Sequence, residues 1–393
     1  MSTDTQHGKI TFLSTYPPRE CGLATFTQDL VTAIDSQATM RTSVVAVINS
    51  LQGGYDCKVE DSIRQFKRSD YVKLAQKLND SDTDALIIEH EYGIYGGECG
   101  EYILDLVLNL TIPLVTTFHT ILSEPNPKQR HIIKMLAEKS EKVIVMANNT
   151  KHLLQTMYKV APEKIEVIPH GVPKRTLVPR DAMKHKYGFE NARIISTFGL
   201  IAPGKGIEHA ITAISKLAVK YKDILYLVLG QTHPCLLKEE GEAYRDKLTR
   251  LVDMYHINEN VLFINKYLTQ DEVINFLQLS DIYLTPYLGK DQAVSGTLAY
   301  AVGYGKAIVS TPYMYAKEML AEGRGLLADF HNADSIAQCI NSILENPEKK
   351  KTMEENILKL GSTMYWDNVA SHYIDTLLMI IKSQLILERK VVS

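Results

Sequence analysis

Short apolar, β-branched runs alternate with stretches of helical spacing along the whole chain, and this alternation constrains the fold more than any other feature. Parallel strands need crossovers long enough to hold a helix, so the pattern predicts βαβ units and an α/β fold. In the first half the runs are ITFLS at 10–14, TSVVAVI at 42–48, ALIIEH at 85–90, PLVTTF at 113–118, KVIVMA at 142–147 and KIEVIP at 164–169. In the second half they are RIISTF at 193–198, LYLVLG at 225–230, NVLFI at 260–264, DIYLTP at 281–286, KAIVST at 306–311 and GLLAD at 325–329. Two such sets predict two doubly wound, Rossmann-like domains. Pro169, Pro173 and Pro179 punctuate the chain between the sets, which places a hinge at 170–181. Sheets of this kind facing each other across a cleft would bring their strand C-termini together, where open α/β sheets bind ligands.

At 393 residues the chain exceeds one ordinary core, in keeping with two domains. Its 43 basic and 46 acidic residues nearly cancel, so no nucleic-acid partner is expected. Five cysteines (Cys21, Cys57, Cys99, Cys235, Cys339) are scattered and never form CxxC, which argues against disulfides or zinc and for a reducing cytoplasm. HxxxH and HExxH are absent, so no metal and no cofactor is expected. The polar start MSTDTQHGK has no signal-peptide pattern, and no uninterrupted apolar run is long enough for a bilayer. The late stretch TLLMIIKSQLILERK is broken by Lys382, Ser383 and Gln384 and reads as an amphipathic packing helix. That leaves room for a peripheral membrane contact. Nothing in the sequence addresses the oligomeric state.

Two segments of the second half are built to hold an anion. FGLIAPGKG, 198–206, follows a strand and precedes the helical pattern IEHAITAISKLA. Glycines let backbone N–H groups approach an anion, the helix start favours negative charge, and Lys205 adds a point charge. The spacing of Gly199, Gly204 and Lys205 is that of a Walker A loop, but Gly206 stands where a Ser or Thr would hold magnesium. Anion binding is therefore expected and NTP hydrolysis is not. Further on, Ser295, Gly296 and Thr297 open a helix running to about Tyr304, and their N–H and O–H donors suit the same diphosphate.

Taken with these segments, PPRECGLATFTQDL (17–30), TTFHT (116–120), VIPHGVP (167–173), YLVLGQ (226–231), SDIYLTPY (280–287), GYGKAIVST (303–311) and Trp366-Asp367 run through the chain in a recognisable order. In that order and spacing the sequence resembles the family-4 glycosyltransferases, relatives of the glycogen and starch synthases with the two-Rossmann GT-B architecture. The resemblance implies an acceptor-binding domain at 1–172 and a donor-binding domain at 173–365. It also implies a terminal helix, about 366–393, crossing back to the first domain. Gly22 would approach the donor phosphates or acceptor, and His119 would stand beside the donor sugar. Lys205 would sit on the donor diphosphate, with Gly199 in its loop, and Ser295, Gly296 and Thr297 on the distal phosphate.

The sequence departs from the family pattern at three positions. Leu200 replaces the arginine that usually accompanies the lysine, and Gln292 and Tyr300 replace two glutamates eight residues apart. An amide can hydrogen-bond sugar hydroxyls both as donor and as acceptor, and Asp291 is adjacent. Asp80-Ser81-Asp82 matches a DxD metal motif but reads as an acidic turn before a strand. Glu89, His90 and Tyr92, at the end of another strand, are candidate acceptor contacts; the alternative for His90 is a buried packing role. Tyrosines are frequent, and Tyr287, Tyr300, Tyr313 and Tyr315 surround the second anion segment, where aromatic faces either stack on rings or simply pack.

The resemblance implies a retaining transfer of a hexosyl group from a nucleotide-diphosphate sugar to a hydroxyl of a carbohydrate, lipid-linked or small-molecule acceptor. The leaving diphosphate would deprotonate the acceptor, and the protein's work would be electrostatic. A glycan phosphorylase, a nucleotide-sugar epimerase and a non-catalytic glycan- or nucleotide-binding protein are the alternatives.

Overall fold

The computed structural model describes residues 8–49 and 54–392, with residues 385 and 387–392 described for their backbone alone. The polar N-terminal segment 1–7 and Ser393 lie outside the described residues. The chain forms two compact units, Met1–Pro173 with Met364–Ser393, and Lys174–Thr363.

The first unit holds a parallel sheet of β1 (Lys9–Ser14), β2 (Arg41–Ile48), β3 (Val59–Arg64), β4 (Ala85–His90), β5 (Leu114–Phe118), β6 (Lys142–Val145) and β7 (Ile165–Val167), ordered β3-β2-β1-β4-β5-β6-β7. Helices on both faces bury the central strands, so β4 and β5 are enclosed along their whole length. Six of these strands are the predicted runs. The seventh, β3, was not expected: VEDSIR has only Val59 and Ile63 as apolar residues, because it forms the sheet edge and buries Ile63 alone.

The second unit holds β8 (Arg193–Phe198), β9 (Ile224–Leu229), β10 (Val261–Ile264), β11 (Ile282–Thr285), β12 (Ile308–Ser310) and β13 (Leu326–Leu327), parallel and ordered β10-β9-β8-β11-β12-β13. In both sheets the strand order reverses beside the first strand, between β1 and β4 and between β8 and β11. Loops leaving the C-terminal ends of these strands frame a crevice that the sheet itself leaves open. The predicted site residues lie on such loops or at these strand ends.

The terminal helix Trp366–Val392 packs against the helix Gly22–Ser36 of the first unit. Gln37 Nε2 donates to the Asp367 carbonyl at 2.8 Å, and the Tyr373 and Thr117 hydroxyls share a 3.1 Å bond. Val369, Ala370, Tyr373, Ile374, Leu377 and Ile380 are buried while Met379 and Lys382 are exposed, the two-sided pattern of a packing helix. No helix among the described residues is long and apolar enough to cross a membrane.

Candidate functional site

Each unit presents its own group of residues at the C-terminal end of its sheet. In the second unit the loop after β8 is held by two close backbone crossings. Gly206 has φ +63° and begins the helix Ile207–Ala218; a Cβ on it would lie 2.1 Å from the Pro286 carbonyl oxygen. Gly230, after β9, passes so near the Gly199 carbonyl that a Cβ would stand 2.0 Å from its oxygen. The Leu288 N–H donates to the Gly204 carbonyl at 3.0 Å, which ties the loop after β8 to the loop after β11.

This docking puts the Lys205 ammonium 3.9 Å from the centre of the Tyr287 ring. A cation over an aromatic face is held without being neutralised, and among the described residues no carboxylate pairs with Lys205. Tyr287 is buried and stacked on Tyr313, with ring centres 5.4 Å apart and planes at 18°. Its hydroxyl meets Thr297 Oγ1 at 2.7 Å, and Thr297 Oγ1 meets Ser295 Oγ at 3.1 Å. Ser295 caps the helix Gly296–Gly303 by accepting from the Leu298 N–H at 3.2 Å, and the Thr297 methyl lies against Gly199. The two anion-ready segments thus converge, with the positive end of a helix and a free ammonium together.

Gln292 and Asp291 lie half-buried in the loop after β11. Gln292 Nε2 donates to the Val294 carbonyl at 3.1 Å, and its Oε1 has no protein partner among the described residues. The Tyr300 hydroxyl accepts from Gln270 Nε2 at 3.0 Å. Tyr287, Tyr313 and Tyr315 are enclosed in the core, so their rings are packing rather than open stacking platforms.

In the first unit Gly22 opens the helix Gly22–Ser36 with nothing within 4 Å of where its Cβ would be, behind Cys21, whose Sγ accepts from the Ala24 N–H at 3.4 Å. His119 follows β5, and its Nε2 lies 2.7 Å from Glu89 Oε2. Phe26 of the same helix packs edge-on against His119, His170 and Trp366, with ring centres 4.8, 5.1 and 5.2 Å away. A Cβ at Gly171 would collide with the Trp366 ring, so the glycine is what lets that ring close over the chain.

Two of the expected acceptor contacts are corrected. Glu89 is sealed from solvent and faces His119, and His90 is sealed among Tyr92, Tyr95 and Phe118. Burial pushes the His90 imidazole down to about 3, with nearby His119 adding to the effect. It is therefore a neutral packing residue. Tyr92 is only half-buried, against the His90 ring. His170, to which the sequence reading gave no role, is also held neutral: burial lowers it to about 4 although the Gly171 carbonyl pulls the other way. The acidic turn at Asp80–Asp82 lies before β4, at the opposite end of the sheet from these loops, and Asp82 pairs with Lys9 at 2.9 Å. No group of three or more His, Cys, Asp or Glu suited to a metal occurs among the described residues.

Two parallel six- and seven-stranded sheets with such loops define a glycosyltransferase of the two-Rossmann, GT-B type. Comparison with known proteins agrees. The model for "Glycosyl transferases group 1" matches residues 179–360, and that for "Glycosyltransferase Family 4" matches residues 73–175. The chain belongs to these family-4-like glycosyltransferases.

It is 27% identical over 228 residues to the uncharacterized glycosyltransferase MJ1069 of Methanocaldococcus jannaschii, covering 57% of this chain and 54% of that one. The match therefore spans about half of that relative's length. It is 24% identical over 262 residues to the lipopolysaccharide 1,2-N-acetylglucosaminetransferase of Salmonella typhimurium, covering 64% of this chain and 67% of that one. In fold it resembles Anabaena Alr3699/HepE, solved with UDP and glucose, at TM-score 0.75 and 15% identity over 95% of this chain and 100% of that one.

Proposed function

We propose that the chain is a retaining glycosyltransferase that moves a hexosyl group from a nucleotide-diphosphate sugar to a hydroxyl of a carbohydrate or lipid-linked acceptor. The observation that carries this reading is the convergence of Lys205, uncompensated by any carboxylate among the described residues, with the start of the helix Gly296–Gly303. A diphosphate departing with its charge unshared needs such an arrangement, because preformed donors and cations stabilise charge that develops in the transition state. In the second unit Gly199, Ser295, Gly296 and Thr297 bring the phosphates close to backbone, Gln292 and Asp291 meet sugar hydroxyls and Tyr300 bounds the pocket; in the first unit Gly22 and His119 keep the roles that the resemblance implies. Retention is what the family resemblance implies, with the leaving phosphate taking the acceptor proton. Solved relatives carrying UDP and glucose support a uridine nucleotide as the first donor to try.

Calorimetric titration with UDP, GDP and ADP tests the phosphate site. Lys205→Ala should weaken the preferred nucleotide by about 2 kcal/mol, the worth of a charge-assisted contact without an arginine beside it. Unchanged affinity would remove Lys205 from the site. Release of sugar phosphate from a glycan and orthophosphate, without nucleotide, would favour a phosphorylase instead.

A further inference from the structure

We infer that Glu89 is a positioning residue for His119, fixing which imidazole nitrogen carries the proton; the consequence for turnover rests on the glycosyl-transfer reading above. The Glu89 side chain is 0% exposed and that of His119 is 12% exposed, and the two meet through Oε2 and Nε2 at 2.7 Å. With Glu89 as a carboxylate, which can only accept, Nε2 carries the hydrogen. In the neutral ring Nδ1 is then a bare acceptor, since the bond made by one imidazole nitrogen sets the state of the other. His119 Nδ1 has no protein partner among the described residues and, unlike Glu89 Oε1, is not sealed from solvent. The acceptor atom is therefore the one that is presented outward.

The surroundings fix the ring as well as its tautomer. The His119 N–H donates to the His90 carbonyl at 3.1 Å, and Phe26 meets the imidazole edge at 89°. Next to it, Thr120 Oγ1 donates to Glu91 Oε2 at 2.6 Å, which occupies the other nearby carboxylate. His90 and His170, both neutral, are the other imidazoles that face it, and the Tyr373 phenol lies on the Glu89 side. None of these is a cation that would draw Glu89 away from Nε2. Among the described residues Glu89 Oε1 makes no hydrogen bond, so the carboxylate's one hydrogen-bond partner there is the imidazole. A buried acid with one partner and no route to solvent contributes little to solubility or packing. Its position is explained by the orientation it imposes on His119. An outward Nδ1 acceptor suits a hydroxyl donor, a sugar or acceptor O–H, rather than a phosphate oxygen.

The full chain labelled with 15N-histidine, read by long-range 1H–15N correlation at about pH 8, tests this directly. His119 signals are assigned by their loss in His119→Gln. The wild-type ring should be protonated at Nε2 and bare at Nδ1. Glu89→Gln should keep that tautomer, because the amide Oε1 still accepts, whereas Glu89→Leu should shift it towards Nδ1–H. Turnover of UDP-glucose should fall about tenfold to a hundredfold in Glu89→Leu and largely recover in Glu89→Gln, with UDP affinity unchanged in both. A wild-type ring protonated at Nδ1 would overturn the assignment, and so would His119 signals and turnover that Glu89→Leu leaves unmoved. The wild-type spectrum decides the tautomer even if Glu89→Leu does not fold. The predicted tautomer, together with its shift in Glu89→Leu, in a chain that never turns over UDP-glucose would uphold Glu89's role and reject that donor.

Discussion

As a sugar contact, Gln292 would act differently from the glutamate it replaces. A carboxylate accepts from several hydroxyls at once, whereas here one amide N–H is spent on the Val294 carbonyl, leaving the second N–H as a donor and Oε1 as an acceptor. Gln292→Ala should therefore weaken a nucleotide sugar by about 1 kcal/mol while leaving the free nucleoside diphosphate nearly unaffected. Paired titrations with UDP-glucose and UDP measure the difference, and equal losses would mean that Gln292 does not touch the sugar. Most candidate site residues were legible because each sits at a strand end followed by a helix start. The Glu89–His119 contact was not. Glu89 pairs with Thr117 across β4 and β5, and His119 lies two residues beyond Thr117, on the same side of the pleat. Only the register shows that these two residues, far apart in sequence, are neighbours.

Strands and helices carry a second electrostatic device, remote from the phosphate loops. At the start of β11, Asp281 accepts from Lys184 at 2.6 Å, from Lys350 at 2.8 Å and from the Ile194 N–H at 2.9 Å, which ties β8, β11 and two helices together. Burial alone would raise its carboxyl, but Lys350 and Lys184 outweigh that and hold it at about 2. Lys306, buried nearby, is instead pushed well below the usual lysine range, chiefly by burial. Because the folded pKa of Asp281 is depressed, its contribution is present above the ordinary aspartate range and is lost as pH falls towards about 2. Asp281→Asn should cost about 3 kcal/mol at neutral pH, since it leaves the buried Lys184 and the half-buried Lys350 without their carboxylate. The gap from wild type should begin to narrow below about pH 4 and close only towards about pH 2. Urea unfolding at these pH values checks this, and a gap that is constant with pH would contradict it. The elements themselves were legible where strands are buried on both faces, since such strands read as unbroken apolar runs. Edge strand β3 escaped because one face meets water and its pattern is half polar.

At the level of the whole molecule, two parallel sheets with the same reversal of strand order present loops of different chemistry. One set gathers a free ammonium and a capped helix start; the other gathers an imidazole held by a buried acid. The doubly wound plan was readable because repeated βαβ spacing leaves few alternatives for a parallel sheet. The donor sugar and the acceptor were not, because a few side chains on loops select them and folds of this kind serve many substrates. The most direct measurement of sugar transfer is proton NMR of the wild-type chain with UDP-, GDP- and ADP-hexoses and simple sugar acceptors in excess EDTA. One donor should lose its anomeric phosphate signal while nucleoside diphosphate and a new glycoside of the same anomeric configuration appear together. A donor that binds but stays intact with every acceptor, or transfer that stops with EDTA and returns with manganese, would contradict it.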